Sequence, residues 1–211
     1  MMKNSVILIT GSNGFIGRHA AELLADDCKV IGLDRTEEDL YGVVDQYVPM
    51  RLPDPGIEAV MKDLEPDYVL HCAGSANVSY SMSHPREDFI SGPAALFELM
   101  NAIRLADLDC TVIFPSSAAI YGNPERLPIG EDDPANPISP YGFHKFMCEQ
   151  ILEEFRSVYG VPSVALRIFS CYGAGLDKQL LWDMANKIHT GRLELFGTGR
   201  ESRDFIHVKD V

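Results

Sequence analysis

The sequence predicts an α/β protein built on a doubly wound parallel sheet. Three observations lead there. Short, continuous apolar runs rich in β-branched residues recur at Ser5–Thr10, Lys29–Asp34, Asp67–Gly74, Cys110–Ser116 and Val164–Phe169. They are too short for core helices and too unbroken for half-exposed strands, so they read as strands buried on both faces. Segments with helical apolar spacing lie between them, as parallel neighbours require, because each such pair needs a crossover. The first run ends in a glycine-rich turn, Thr10-Gly11-Ser12-Asn13-Gly14-Phe15-Ile16-Gly17, that opens straight into a helical pattern.

In that pattern Phe15, Ile16, Ala20, Leu23 and Leu24 recur on one face up to about Asp26. The glycines therefore sit where a strand turns into a helix. Gly11 permits the tight turn, Gly14 lets backbone approach a pyrophosphate, and Gly17 lets the helix pack closely on the sheet. The helix start then offers unpaired N–H groups and the positive end of a dipole to phosphate. Asp34 closes the second strand, where a carboxylate can accept both ribose hydroxyls of an adenosine and would repel a 2′-phosphate. That favours NAD over NADP. Arg35 beside it can pair with such a phosphate, so the choice stays open on these residues.

Gln46–Met50 reads as a third short strand, and Asp54–Leu64 as a helix with Pro55 in its first turn. The strand at Asp67 ends in Cys72, Ala73 and Gly74, small enough for a ligand to pass over backbone. His71 in it has no partner at metal-ligand spacing and reads as structural. Residues 85–106 have helical spacing through Phe89, Ile90, Leu96, Leu99 and Ile103, with a kink expected at Gly92-Pro93. The strand at Cys110 delivers Ser116 and Ser117. After it, Tyr121-Gly122 begins a polar, proline-rich loop to Pro140, of a kind suited to cover substrate. Ser139 then caps a helix to about Tyr159, with Pro140 in its first turn. Tyr141 and Lys145, four apart, share one face near its start.

Composition narrows the functions. With 211 residues, 46% of them apolar, the chain can bury one sizeable core and make one domain or somewhat more. A formal charge of −13 would repel a nucleic-acid backbone, and no basic patch offsets it. The five cysteines (28, 72, 110, 148 and 171) are scattered, with neither CxxC nor Cys/His ligand spacing, so no metal is expected and a reducing cytoplasm fits best. No secretory leader or apolar run near the roughly 20 residues of a membrane helix is visible, so a soluble protein without a membrane partner is expected.

Taken together, the glycine turn, Asp34, the Ser116-Ser117 pair and Tyr141-Gly-Phe-His-Lys145 resemble the extended short-chain dehydrogenase/reductases. The resemblance is to their NAD-dependent epimerase/dehydratase branch, which acts on nucleotide sugars in the manner of UDP-glucose 4-epimerase. It implies a Rossmann-like domain over 1–169 and, over 170–211, the start of a small, truncated C-terminal substrate lobe, since family members continue well beyond Val211. It implies Ser117, Tyr141 and Lys145 as the catalytic set. For NAD it implies Gly11, Asn13, Gly14, Phe15, Ile16, Gly17, Asp34, Arg35, Leu52, Cys72, Ala73, Gly74, Ser116, Tyr141, Lys145 and Phe169. For a nucleotide-diphosphate sugar it implies Asn77, Ser117, Tyr141, Ser170 and Arg203. The tail from Leu193 to Val208 matches the family, and Arg203 reads equally as a diphosphate contact or as a surface ion pair with Asp204.

The chain also departs from the pattern. Met50-Arg51-Leu52 replaces the family's Gly-Asp beside the adenine, Ser91-Gly92-Pro93 replaces the segment whose asparagine helps hold the catalytic helix, and Ser170 stands where an asparagine is usual. Ala118 and Ala119 follow Ser117 where the family's dehydratases and decarboxylases carry a carboxylate, which disfavours both reactions. A 4-epimerase needs only the bare Ser/Tyr/Lys set, with Lys145 and a charged nicotinamide both expected to lower the proton affinity of Tyr141. A sugar-nucleotide reductase or dehydrogenase, or a cofactor-binding module without turnover, remains as an alternative. The family often dimerises through helices near 90–106 and 141–159, and apolar residues there can equally face the sheet.

Overall fold

The computed structural model describes residues 3–191, 194 and 197–211, so Leu193, Leu195 and Phe196 of the family-like tail lie outside the described residues. The chain divides into two compact units, one running to Arg167 and the other comprising Ile168–Val211. The first holds a six-stranded sheet in the order β3-β2-β1-β4-β5-β6. Its strands are β1 (Val6–Thr10), β2 (Lys29–Asp34), β3 (Gln46–Pro49), β4 (Tyr68–His71), β5 (Thr111–Ser117) and β6 (Ser163–Ile168). β1 pairs in parallel with both β2 and β4, so the order reverses beside it. The crevice at the carboxyl ends of β1 and β4 is thus the topological switch point, where ligands of such sheets bind.

The continuous apolar runs are explained by cover on both faces. On one side Leu8, Ile31, Val69 and Val112 pack with Met61 of α2 (Ile57–Leu64), Leu99 and Ile103 of α5 (Ala95–Leu105) and Phe155 of α6 (Pro140–Tyr159). On the other, Ile7, Ile9 and Val30 pack with Ala21 of α1 (Phe15–Leu24). Adjacent residues of one strand serve opposite faces, as the period of two demands.

The expectations for α2 and β6 need correction. α2 begins at Ile57, because the Asp54 side chain accepts the Gly56 amide at 2.8 Å and makes a turn of Asp54–Gly56; Pro55 therefore precedes the helix. The helical segment expected over 85–106, disturbed at Gly92-Pro93, is present as α4 (Pro85–Phe89) and α5 joined by a π turn over Ile90–Ala94. Pro93 lacks an N–H and cannot continue the ordinary ladder, so the helix widens there. A short helix that the apolar pattern does not announce, α3 (Val78–Ser83), is capped by Asn77. Finally, β6 is not buried: it is the edge of the sheet, and Val164 is 50% exposed.

In the second unit β7 (Ser170–Tyr172) pairs in parallel with β8 (Phe205–His207), and Tyr172 meets the His207 ring edge-on at 5.2 Å. α7 (Gln179–His189) has no buried residue. No helix among the described residues is long and apolar enough to cross a membrane.

Candidate active site

The glycine turn is locked by its own geometry. Gly11 has φ +70° and donates to the Leu33 carbonyl at 2.7 Å, which ties the turn to the end of β2. A Cβ on Gly17 would lie 2.2 Å from the Gly11 carbonyl, so the close approach Gly17 permits is of α1 to the turn itself. Gly17→Ala is therefore expected to cost about 1–3 kcal/mol, the usual range for overpacking, in urea unfolding.

Asp34 receives the Asn13 amide at 3.0 Å on one carboxylate oxygen and the Arg35 amide at 2.7 Å on the other. The Asn13 side chain is committed elsewhere. It donates to Thr36 at 2.6 Å, to the Glu38 carbonyl and to Tyr47, and accepts from Leu40, pinning the segment after β2. Both the amide and the side chain of Asn13 thus already have partners within the protein. Phe15 and Ile16 are half-buried and Gly14 is exposed. Arg35 is exposed, whereas Leu52 is buried in the core beneath α2 and α5.

At the end of β4, Cys72 and Ala73 are half-buried and Gly74 is exposed with φ +133°. The Ala73 amide is held by Thr10 Oγ1 at 3.2 Å. His71 is buried, and its Nδ1 lies 2.8 Å from the same Thr10 hydroxyl.

Across the crevice stands α6. Ser139 accepts the Gly142 amide at 3.1 Å, with Pro140 in the first turn as the sequence indicates. Tyr141 and Lys145 line one small cleft with Ala73, Gly74, Asp88 and Gly92. Ser117, at the end of β5, lies close enough to the Tyr141 side chain to influence its proton affinity, and it accepts the Ala119 amide at 3.2 Å. The Lys145 ammonium lies 5.9 Å from the centre of the Tyr141 ring and 4.3 Å from that of Phe114. It donates to the Pro115 carbonyl at 2.7 Å.

The electrostatics reverse the expected sign. Burial, the largest cause, holds the Tyr141 phenol above its ordinary value; the Ser117 hydroxyl pulls it down, and the charges of Asp88 and Cys148 push it up. Burial likewise lowers Lys145, against the raising influence of Cys148, Cys72, Asp88 and Glu149. In the open cleft both groups are driven toward neutrality by desolvation. Lys145 therefore does not by itself poise the phenol.

Three further tethers hold this site, and none is legible as a sequence motif. Ser81 in α3 accepts the Tyr141 amide at 3.1 Å and donates to the Val78 carbonyl. Ser116 donates to Glu149 at 2.5 Å, so its side chain is engaged with α6. Arg167 grips the same Glu149 carboxylate, at 2.9 Å by its shortest contact, and also reaches Tyr121 and the Glu131 carbonyl. The third tether joins Asp88 and His144 at 2.6 Å. The one available signal was Glu149 standing four residues beyond Lys145 on the same helix face. Ser81→Ala leaves a helix-start amide without its acceptor and is expected to lower stability by about 1 kcal/mol in chemical denaturation.

The remaining candidates are placed as follows. Asn77 is exposed, and its side chain accepts the Tyr80 amide at 2.9 Å as the cap of α3. Phe169, Ser170 and Arg203 belong to the second unit, where the Ser170 amide donates to the Asp204 carbonyl at 3.0 Å and Arg203 is exposed. No group of three possible metal ligands occurs among the described residues.

The model of the NAD dependent epimerase/dehydratase family matches residues 7–211. The chain belongs to this family. It is 35% identical to a UDP-glucose 4-epimerase of Azospirillum brasilense over 97% of this chain and 65% of that protein. Among solved structures it resembles a UDP-N-acetylglucosamine 4-epimerase from Methanobrevibacter ruminantium M1 at 32% identity and TM-score 0.88, covering 99% of this chain and 70% of that one. A UDP-glucose 4-epimerase from Brucella ovis, solved with NAD, is 33% identical with TM-score 0.85, over 97% and 70% of the two chains. This family member thus spans about two thirds of the length of those relatives.

Proposed function

We propose that the protein is an NAD-dependent nucleotide-sugar 4-epimerase acting on a UDP-hexose. One observation carries this reading: Tyr141 and Lys145 line a single cleft beside Ser117, and the residues after Ser117 are Ala118 and Ala119, which can move no proton. Elimination and decarboxylation lack their extra acid or base, whereas inversion at one carbon needs none.

The residues fit a dinucleotide. The turn at Gly11–Gly17 leaves no room for side chains on either of those glycines, Asp34 stands at the end of β2, and the buried Lys145 ammonium has the Pro115 carbonyl as its acceptor among the described residues. Two of its N–H groups are free for ligand hydroxyls. Held by the Gly11–Gly17 turn, Asp34 and Lys145, NAD would supply a reversible hydride acceptor for the sugar carbon. Tyr141 takes the proton of the sugar hydroxyl and later restores it, Ser117 holds the same oxygen, and Lys145 orients a ribose. The wider proposal places the protein in the cytoplasm, where five free thiols persist, and pairs two copies through exposed Phe97, Leu105, Phe143, Met147 and Val158 on α5 and α6.

The test is incubation of purified protein with UDP-glucose, UDP-galactose and their N-acetyl forms, with chromatography of the products and absorbance at the reduced-nicotinamide band. We expect interconverted 4-epimers without accumulated NADH. Stoichiometric NADH would assign a dehydrogenase instead, and NAD binding with no product from any sugar nucleotide would assign a binding module.

A further inference from the structure

One side chain of the cleft belongs to the core as well. Phe114 of β5 is 2% exposed and packs in the cluster that includes Leu99 of α5 and Phe155 of α6, yet it also lines the cleft with Tyr141 and Lys145. The Lys145 nitrogen stands over its ring, 4.3 Å from the centre. The same nitrogen donates at 2.7 Å to the carbonyl of Pro115, the next residue along the strand. Two consecutive residues of β5 thus hold the head of the lysine, one with a ring face and one with a carbonyl, immediately before the serine pair.

The ring is itself fixed. The His71 ring of β4 lies 6.1 Å from it with the planes 27° apart, a stacked arrangement within the range that aromatic pairs favour. Nδ1 of His71 lies 2.8 Å from the Thr10 hydroxyl, at the entry to the glycine turn. A contiguous line of contacts therefore runs from that turn through His71 and Phe114 to Lys145.

An ammonium taken out of water needs compensation, and one carbonyl engages only one of its three donors. The negative face of an aromatic ring attracts the cation without using up an N–H, so the other donors stay available to a ligand. We propose that Phe114 is a positioning residue for Lys145: its ring face seats the ammonium in the cleft and the Pro115 carbonyl sets its direction, so that the lysine is ordered before a cofactor ribose arrives. The purpose of this seat rests on the role proposed above for Lys145, whereas the contact itself does not. A part in the core alone would depend on the volume and shape of Phe114 and not on the charge distribution of its ring.

The experiment separates these two by changing the field of the ring at nearly constant shape. Phenylalanines carrying one, two or three ring fluorines are installed at position 114 of the full chain, and NAD affinity is measured by calorimetric titration. Each fluorine weakens the negative face, so we expect affinity to fall stepwise, by about 2- to 30-fold across the series, the range for an aromatic–ammonium contact. In protein labelled with ¹³C at lysine Cε, the Lys145 methylene, assigned by its loss in Lys145→Arg, is expected upfield of the other lysines through shielding by the ring, and is expected to return toward them in Phe114→Leu. Should Phe114→Leu fail to fold by circular dichroism, Phe114→Met also removes the ring while keeping apolar bulk and is expected to show the same return. NAD affinity unchanged across the fluorinated series, or a Lys145 methylene that stays upfield in the folded ringless variant, overturns the inference. A stepwise loss of NAD affinity in a protein that converts no sugar nucleotide upholds it while removing the epimerase reading, so the two failures are separable.

Discussion

Tyr141→Phe is expected to lower turnover by about 10²–10⁴-fold, the range for loss of a positioned general acid/base, while leaving NAD affinity unchanged. The phenol hydroxyl is the one group in the cleft that combines a transferable proton with contact to Ser117. Its ring stays in place in the variant, because the tethers on this part of α6 act elsewhere: Ser81 on the Tyr141 amide, Ser139 on the Gly142 amide and Asp88 on His144. A loss confined to kcat, with KM and NAD binding preserved, marks an interaction made in the transition state. Equal losses in cofactor binding would instead mean that the phenol supports the fold of the crevice.

The second large effect is on acid stability and centres on His71. Its ring is fully enclosed, with Nε2 buried and without a hydrogen-bond partner among the described residues. Burial, and after it the charge of Lys145, lowers its pKa from 6.5 to about 3. The unfolded chain therefore binds a proton below pH 6.5 that the folded protein refuses until near pH 3. Stability from this residue is complete above pH 6.5 and is lost progressively as pH falls toward 3. At about 1.4 kcal/mol per unit, the loss over that whole range is on the order of 5 kcal/mol. Urea unfolding at neutral pH and in steps toward pH 4 should show the advantage of the unaltered protein over His71→Gln shrinking with acid. Parallel curves for the two would contradict it.

What could be read from the sequence was what is local. The cap at Ser139-Pro140, the glycine turn after β1 and the double-sided burial of β1 and β2 depend on neighbours within a few positions, and their spacing carries them. What was missed joins distant parts of the chain: Ser81 to Tyr141, Asp88 to His144, and Arg167 to Glu149. No periodicity encodes such pairs. The exposure of β6 follows from its place at the sheet edge, which an apolar run alone does not specify. The direction in which Tyr141 is driven failed for a related reason. The four-residue spacing to Lys145 predicts a cation near the phenol, whereas desolvation by the folded cleft is the larger cause and acts in the opposite sense. The departure at Gly92-Pro93 also has a physical outcome: a π turn that carries the helix past the proline and leaves Gly92 in the wall of the cleft.

The most direct test of the proposed chemistry is a ¹H NMR time course of UDP-glucose with the NAD-loaded protein in D₂O. We expect the galacto epimer to appear with its C4 hydrogen retained, because the hydride leaves and returns without meeting solvent. Deuterium at C4 of the product, or the absence of any epimer from each UDP-hexose offered, would contradict it.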